Sequence, residues 1–364
     1  MDIRNCNEEE MKEIAKEFGE KEFRGKQMFE WIHGKQIQDL DEMTNLSAEF
    51  RRRLKEKYRI SGMEVLEKQI SGKKDTIKYL FSLPDGNVIE SVWMKYRHGN
   101  SVCISSQVGC RMGCTFCAST LTGLTRNLTA GEMLSQVYEI QRDTGERVSN
   151  VIVMGIGEPL DNYDNLIKFI KLLSSEKGIR ISQRNITVST CGLVEKIREL
   201  MKERLQITLA ISLHAPNDEI RRETMPVARK YSIDEIFEVC REYFEMTGRR
   251  ITFEYSMIRG INDKKEHAEE LAERCRGLNC HINLIPLNEV KERNCLRSAD
   301  SDIERFKIIL EKNRINVTIR REMGSDIDAA CGQLRKKFLN PAGKNQRRSD
   351  CEYIFDNRYG TRTK

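Results

Sequence analysis

Apolar residues recur with two different periods along the chain. Over residues 1–60 the spacing is helical: segments 11–18, 26–31 and 48–58 place Met, Ile, Phe, Leu or Trp three and four positions apart, which predicts a small helical module. Between 62 and 94 the period shortens to two. Pro84-Asp-Gly-Asn87 separates runs 76–83 and 88–94, the pattern of two strands joined by a turn. On the second of these, alternation puts Val88, Glu90, Val92 and Met94 on one face. A carboxylate among apolar neighbours is either a partnered structural group or one whose proton affinity is raised for acid–base work, and the sequence leaves both readings open.

From residue 102 onward, short apolar runs alternate with amphipathic stretches, the rhythm of parallel βα units. Strands are expected at 102–105, 150–154, 185–189, 206–213, 251–257 and 281–285, with a seventh at 316–320. Thr129 with Glu132 and Ser232 with Glu235 start two of the intervening helices as capping boxes. The expected fold is therefore α/β: a partial (β/α)6 barrel, open on one side, with a helical amino-terminal module and a β-hairpin extension. Domain limits follow as a 1–60 module, a 61–95 hairpin connection, a 96–338 barrel and a polar, basic tail at 339–364.

Chemistry concentrates after the first barrel strand, in Cys110-Arg-Met-Gly-Cys114-Thr-Phe-Cys117. Three thiolates at this spacing hold three corners of a 4Fe-4S cubane and leave the fourth iron open. A structural zinc site would need a fourth Cys or His close by, and none follows Cys117 within seventy residues. The spacing thus favours a cluster over zinc or free thiols.

In parallel barrels, reactive groups gather where strands end in loops at their carboxyl edge. Four further strand ends carry unusual residues: Gly155-Ile-Gly157-Glu158-Pro159, Ser189-Thr-Cys-Gly192, Ser212-Leu-His214 and Asn288. Glu158 suits an ammonium, the two glycines permit close backbone approach, and Ser189, Ser212 and Asn288 are short hydrogen-bonding arms for a carboxylate or ribose. His214 reads equally as a packed strand residue or a ligand-facing one. Two other thiols stand apart, Cys103 on the first barrel strand and Cys331 in a stretch of small residues, 324–334. The remaining cysteines, Cys191 among them, are expected to be buried and inert.

The charge balance, 62 Lys and Arg against 56 Asp and Glu for a net +6, permits nucleic acid binding without requiring it. Basic runs stand at 51–53, 249–250, 335–337 and 347–348; each alone reads first as a solvated face. No stretch approaches the roughly eighteen consecutive apolar residues of a membrane span, and the first residues lack the apolar core of a secretory signal. The expectation is a cytoplasmic protein with reduced thiols.

The run 103–117, Met154-Gly-Ile-Gly-Glu-Pro159, Ser212-Leu-His214, Asn283-Leu-Ile-Pro286 and Asp326-Ile-Asp-Ala-Ala-Cys-Gly-Gln333 together resemble the RlmN/Cfr family of radical S-adenosylmethionine (SAM) RNA methyltransferases. The resemblance implies a radical SAM barrel with a 4Fe-4S cluster on Cys110, Cys114 and Cys117. It implies two SAM molecules per turnover, one methyl donor and one radical source, with Gly157, Glu158, Ser189, Ser212, Leu213, His214 and Asn288 as the cofactor-binding set. Cys331 would carry the methyl group and Cys103 would release the RNA through a transient disulfide, while Glu90 would accept a proton. The implied substrates are adenine 2503 of 23S rRNA and adenine 37 of tRNAs, methylated at carbon 2. A flavodoxin-type or other low-potential electron donor and a monomeric chain complete the expectation. Pro159 favours this branch over the one that methylates carbon 8 of the same rRNA adenine. From a different class, an iron-sulfur electron carrier or an RNA-binding protein with a structural cluster would leave Cys331 without purpose. Glu195, Glu289 and Ser325 depart from the family pattern at positions that shape loops.

Overall fold

The computed structural model describes residues 1–97, 99–290, 293–321, 323–324 and 326–327. Cys331 and the 339–364 tail lie outside the described residues.

Helices α1 (Glu8–Glu17), α2 (Glu22–Phe29) and α3 (Ala48–Lys57) build the amino-terminal module. Asn7 and Glu10 cap α1 reciprocally, each side chain accepting from the other's backbone N–H, which satisfies two otherwise orphaned donors. The predicted apolar stripes turn inward: Met11, Ile14, Met28, Phe29, Phe50 and Leu54 are buried. Two polar residues fasten this module to the barrel. The Arg4 guanidinium, fully buried, donates to Ser135 Oγ at 2.8 Å, Ser61 O at 3.2 Å and Ile37 O at 3.3 Å. His33 bridges the Cys6 carbonyl and the Tyr138 hydroxyl.

Among the described residues the main sheet has ten strands. β1 (Glu64–Ile70), β2 (Thr76–Ser82), β3 (Val88–Tyr96) and β4 (Gly99–Cys103) pair antiparallel in sequence order. The expected hairpin is thus continuous with the barrel sheet and carries one more strand, β1, on its outer edge. The Pro84-to-Asn87 turn joins β2 and β3, with Leu83 N donating to Asn87 O. A short pair, β5 (Gln107–Gly109) with β6 (Leu124–Asn127), brackets the three thiols, and α4 (Ala130–Thr144) follows with its capping box formed.

From β4 the chain winds parallel through β7 (Val148–Val153), α5 (Tyr163–Leu173), β8 (Ile186–Thr190), α6 (Val194–Lys202), β9 (Thr208–Ser212), α7 (Asp218–Thr224), α8 (Ile233–Thr247), β10 (Ile251–Met257), α9 (Lys265–Arg274), β11 (Cys280–Pro286), α10 (Asp300–Lys312) and β12 (Asn316–Ile319). Strand order β4-β7-β8-β9-β10-β11-β12 makes six parallel units plus a seventh strand, and the two ends of the sheet, β1 and β12, do not pair. Val151, Val153, Ile186, Val188, Leu209, Ile211, Phe253, Ile282 and Leu284 are buried and supply the apolar outer face under the helices. The inner face alternates with them and is left for small and polar side chains. The fourth strand stops at Ser212, short of the expected 213, because His214 takes φ +56°, a left-handed conformation that ends the ladder.

Candidate active site

A cavity of about 590 Å³ opens at the carboxyl ends of the parallel strands. Cys103, Cys110, Cys114, Cys117, Gly157, Glu158, Ser189, Ser212, His214 and Asn288 all line it. Leu213 does not: its side chain is fully buried in the core, and only its backbone serves the site, its N–H donating to Glu254 O and its carbonyl accepting from Arg221. Cys331 lies outside the described residues.

The thiol loop is held from both sides. Cys110 N donates to Gly123 O and Thr115 N to Thr224 O, each at 2.9 Å, so the residue before β6 and the end of α7 fix its two shoulders. Cys110 and Cys114 are buried and Cys117 is half-buried. Burial pushes the Cys110 thiol up to about 12, so it holds its proton until a metal displaces it.

Glu158 follows β7 and is almost fully buried. Its Oε1 accepts from Leu160 N at 3.0 Å and its Oε2 from Cys191 N at 2.8 Å. Burial raises its carboxyl above the usual range, and the Cys191 N–H is the foremost of the donors that oppose this. The group therefore ties the loops after β7 and β8 together as well as facing the cavity. The neighbouring glycines line the cavity and also lie close against protein. A Cβ on Gly155 would stand 2.6 Å from the Ile104 backbone, and one on Gly157, at φ +110°, 2.6 Å from Gln107 Cβ. They let the loop lie against the segment leading to the thiols.

Ser189 Oγ and Ser212 Oγ meet at 3.2 Å. His214 Nδ1 accepts from Ser256 N at 2.9 Å, which puts the ring proton on Nε2. Burial lowers its pKa to about 3, so the imidazole is a neutral donor, with Phe116 edge-on at 4.9 Å between centroids. Asn288 stands exposed at the rim.

Glu90 is off the cavity wall. Its carboxylate is ion-paired with Lys78 at 3.0 Å, both side chains buried; the register sets Lys78 opposite Val92 and Leu80 opposite Glu90, so the pair is diagonal across β2 and β3. Cys103, opposite Val92 on β4, is buried at the same wall.

Three groups escaped the sequence reading. Cys191, expected to be inert filler, is buried but lines the cavity beside Cys114 and Met225. Glu254 and Arg320 line the inner wall of β10 and the end of β12. Glu254 carried the same signal as Glu90, a carboxylate inside an apolar strand, in Ile251-Thr-Phe-Glu-Tyr-Ser-Met257.

Among the described residues no three His, Cys, Asp or Glu side chains converge on a single-ion site. Thiolates around one tetrahedral zinc would stand about 3.8 Å apart, from a Zn–S bond of about 2.3 Å. A cubane instead distributes its thiolates over separate irons, which suits three thiols, two buried and one half-buried, spread around one loop. Ser119 lines the same cavity, and its enclosed Oγ has no hydrogen-bond partner among the described residues. The residues fit a 4Fe-4S cluster.

Comparison with known proteins gives the same direction. The radical SAM superfamily matches residues 104–275, and the ribosomal RNA large subunit methyltransferase N-terminal domain matches residues 1–60. The probable dual-specificity RNA methyltransferase RlmN of Lachnoclostridium phytofermentans is 60% identical over 93% of this chain and 96% of its own length. The chain belongs to the RlmN family. The corresponding protein of Clostridium novyi, another RlmN, is 53% identical over 93% of this chain and 98% of its own. The crystal structure of a radical SAM methyltransferase from Sphaerobacter thermophilus superimposes with a TM-score of 0.88 at 42% identity, covering 92% of this chain and 98% of that one. Membership of the radical SAM superfamily implies a 4Fe-4S cluster and SAM. All ten described cysteines are free thiols, so the disulfide implied by the RlmN resemblance is not present among them. No described helix is long and apolar enough to cross a membrane.

Proposed function

We propose that the chain methylates carbon 2 of adenine in RNA, with adenine 2503 of 23S rRNA and adenine 37 of tRNAs as substrates, consuming two SAM molecules per turnover. The observation that carries this reading is one cavity wall shared by the three loop thiols, Cys103, and the Glu158, Ser189, Ser212 and His214 set.

Cys110, Cys114 and Cys117 would hold the cluster. When bound, the cluster and SAM supply one electron and a 5′-deoxyadenosyl radical. The polypeptide does the rest. Glu158 faces the SAM ammonium; Ser189, Ser212 and the Nε2–H of His214 offer donors and acceptors for its carboxylate and ribose. Carbon 2 of adenine is too poor a nucleophile to displace a methyl group from a sulfonium, whereas a thiolate is not. Cys331 therefore takes the methyl first, its S–C bond forming as the sulfonium–methyl bond breaks. After a hydrogen atom is removed from that methyl, its carbon would bond to adenine carbon 2, and the group held by Cys110, Cys114 and Cys117 would supply and take back the single electron this requires. Glu90 takes the carbon-2 proton, exchanging its Lys78 contact for substrate. Cys103 then attacks the Cys331 sulfur: the S–S bond forms, the S–C bond breaks, and the carbon gains a proton and stays on RNA as methyl. The target base must leave its stack to enter the cavity, which favours unpaired or loosened RNA. The cytoplasm, a low-potential donor such as a flavodoxin, and a monomeric chain complete the reading.

The test is anaerobic reconstitution with iron and sulfide, incubation with SAM and an rRNA fragment, and mass spectrometry of the nucleosides. 2-Methyladenosine is expected; 8-methyladenosine would move the chain to the other branch of the family. Cys103→Ala should accumulate a covalent protein–RNA band on denaturing gels, and only free protein would contradict its role.

A further inference from the structure

Glu254 is the second buried carboxylate of the cavity wall, and nothing in the mechanism above uses it. It is 5% exposed. Register places it in a row that crosses four neighbouring strands at one level: Ser212 on β9, Glu254 on β10, Asn283 on β11 and Thr318 on β12. The hydrogen bonds of this row run in one direction. Thr318 Oγ1 contacts His281 Nε2 at 2.9 Å and donates to Asn283 Oδ1 at 3.1 Å, and Asn283 Nδ2 donates to Glu254 Oε2 at 2.9 Å. The row therefore ends on the carboxylate and fixes its plane, with one oxygen filled.

The other oxygen has no hydrogen-bond donor and the carboxylate no ion-pair partner within 4 Å among the described residues. Arg320 shares the cavity and acts on it only at longer range. That oxygen is not enclosed by protein and opens on the cavity, where a donor that arrives with the ligand can meet it. Ser212, its neighbour in register, already pairs with Ser189, so a ligand settling between them meets an acceptor pair made of a carboxylate and a hydroxyl. Vicinal hydroxyls of a ribose match that pair, and an acidic side chain at a strand end recognises ribose hydroxyls in dinucleotide sites for the same reason.

We infer that Glu254 is the acceptor for the ribose hydroxyls of SAM, aligned by the Asn283–Thr318–His281 row behind it. The inference rests on the reading of this cavity as a SAM site. The other nucleoside that enters the cavity, the target adenosine, offers hydroxyl and amino donors of the same chemistry, and the experiment separates the two sources.

Binding of SAM and of its 2′,3′-dideoxy analogue is measured by equilibrium dialysis on the reconstituted protein without RNA, for wild type and Glu254→Gln. One charge-assisted hydrogen bond corresponds to about 10- to 100-fold in affinity. Wild type should bind SAM more tightly than the analogue by a factor of that order. Glu254→Gln should lose this preference while binding the analogue as wild type does. Equal binding of SAM and analogue by wild type overturns the inference without recourse to any variant. A Glu254→Gln protein that binds SAM normally but has lost RNA affinity overturns it in favour of the target nucleoside. Equal losses for SAM and analogue would mean that Glu254 only supports the wall. Absence of any SAM binding by wild type would instead sink the parent reading of the cavity.

Discussion

His33 shows how a single titratable residue couples pH to the joining of two modules. A carbonyl can only accept, so the contact with Cys6 O makes Nε2 the donor and leaves Nδ1 to accept from the Tyr138 hydroxyl. Complete burial then lowers the pKa to about 4. Because the folded value lies below the unfolded one near 6.5, the unfolded chain binds more protons in this interval, and stability is lost as pH falls from about 6.5 towards 4. The full interval corresponds to about 3 kcal/mol from this one group. Urea denaturation at pH 7, 5.5 and 4.5 should show the advantage of wild type over His33→Gln shrinking steadily with acidification. A constant difference would mean that His33 is not the titrating group. Glu254 and Glu90 teach a related lesson at the same scale. Both are carboxylates within apolar strands, yet one is ion-paired with Lys78 and the other keeps an oxygen towards the cavity.

Among the elements, α7 is a support for the thiol loop. Its last carbonyl, Thr224 O, accepts from Thr115 N, and Met225 packs with Cys114 and Cys191. From the middle of α7 the fully buried Arg221 donates to three carbonyls: Cys191 O at 2.6 Å, Leu213 O at 3.3 Å and Tyr231 O at 3.5 Å. One side chain thus joins the ends of β8 and β9 to the helix that backs the loop. Arg221→Met keeps most of the volume and leaves these acceptors unpaired, which should cost about 3 kcal/mol in chemical denaturation. Hydrogen exchange should rise locally at 110–117 and 189–193; unchanged exchange there would show that α7 does not brace the loop.

On the scale of the whole molecule, the 62 Lys and Arg face 56 Asp and Glu, so the excess is only +6 and many cations are engaged by acids. Arg52 is engaged by Glu49 and Glu56, Lys55 by Asp39 and Asp41, and Arg274 by Asp234. RNA binding should accordingly rest on a limited number of phosphate contacts. The slope of log K against log salt is expected to be shallow, each single-strand phosphate contact contributing about −0.7. Filter binding from 50 to 300 mM salt measures it, and a salt-independent affinity would contradict phosphate recognition by this surface.

How much of this was legible beforehand follows from what each signal depends on. The six parallel strands and the seventh were readable because a strand with one face packed under helices and the other turned to a polar cavity repeats with period two, as in Ile251-Thr-Phe-Glu-Tyr-Ser-Met257. The thiol loop was readable because ligand spacing is a local property of the chain. By itself the sequence determined the element types, their order and the rim on which polar residues would collect, all consequences of periodicity and short-range spacing. Only the tertiary structure decided which neighbours those residues meet. Pairing Lys78 with Glu90, seating Gly157 on Gln107, and aligning Ser212, Glu254, Asn283 and Thr318 in one row depend on the register between strands far apart in sequence. That register is fixed by packing across the whole sheet, a quantity that no local stretch of residues carries.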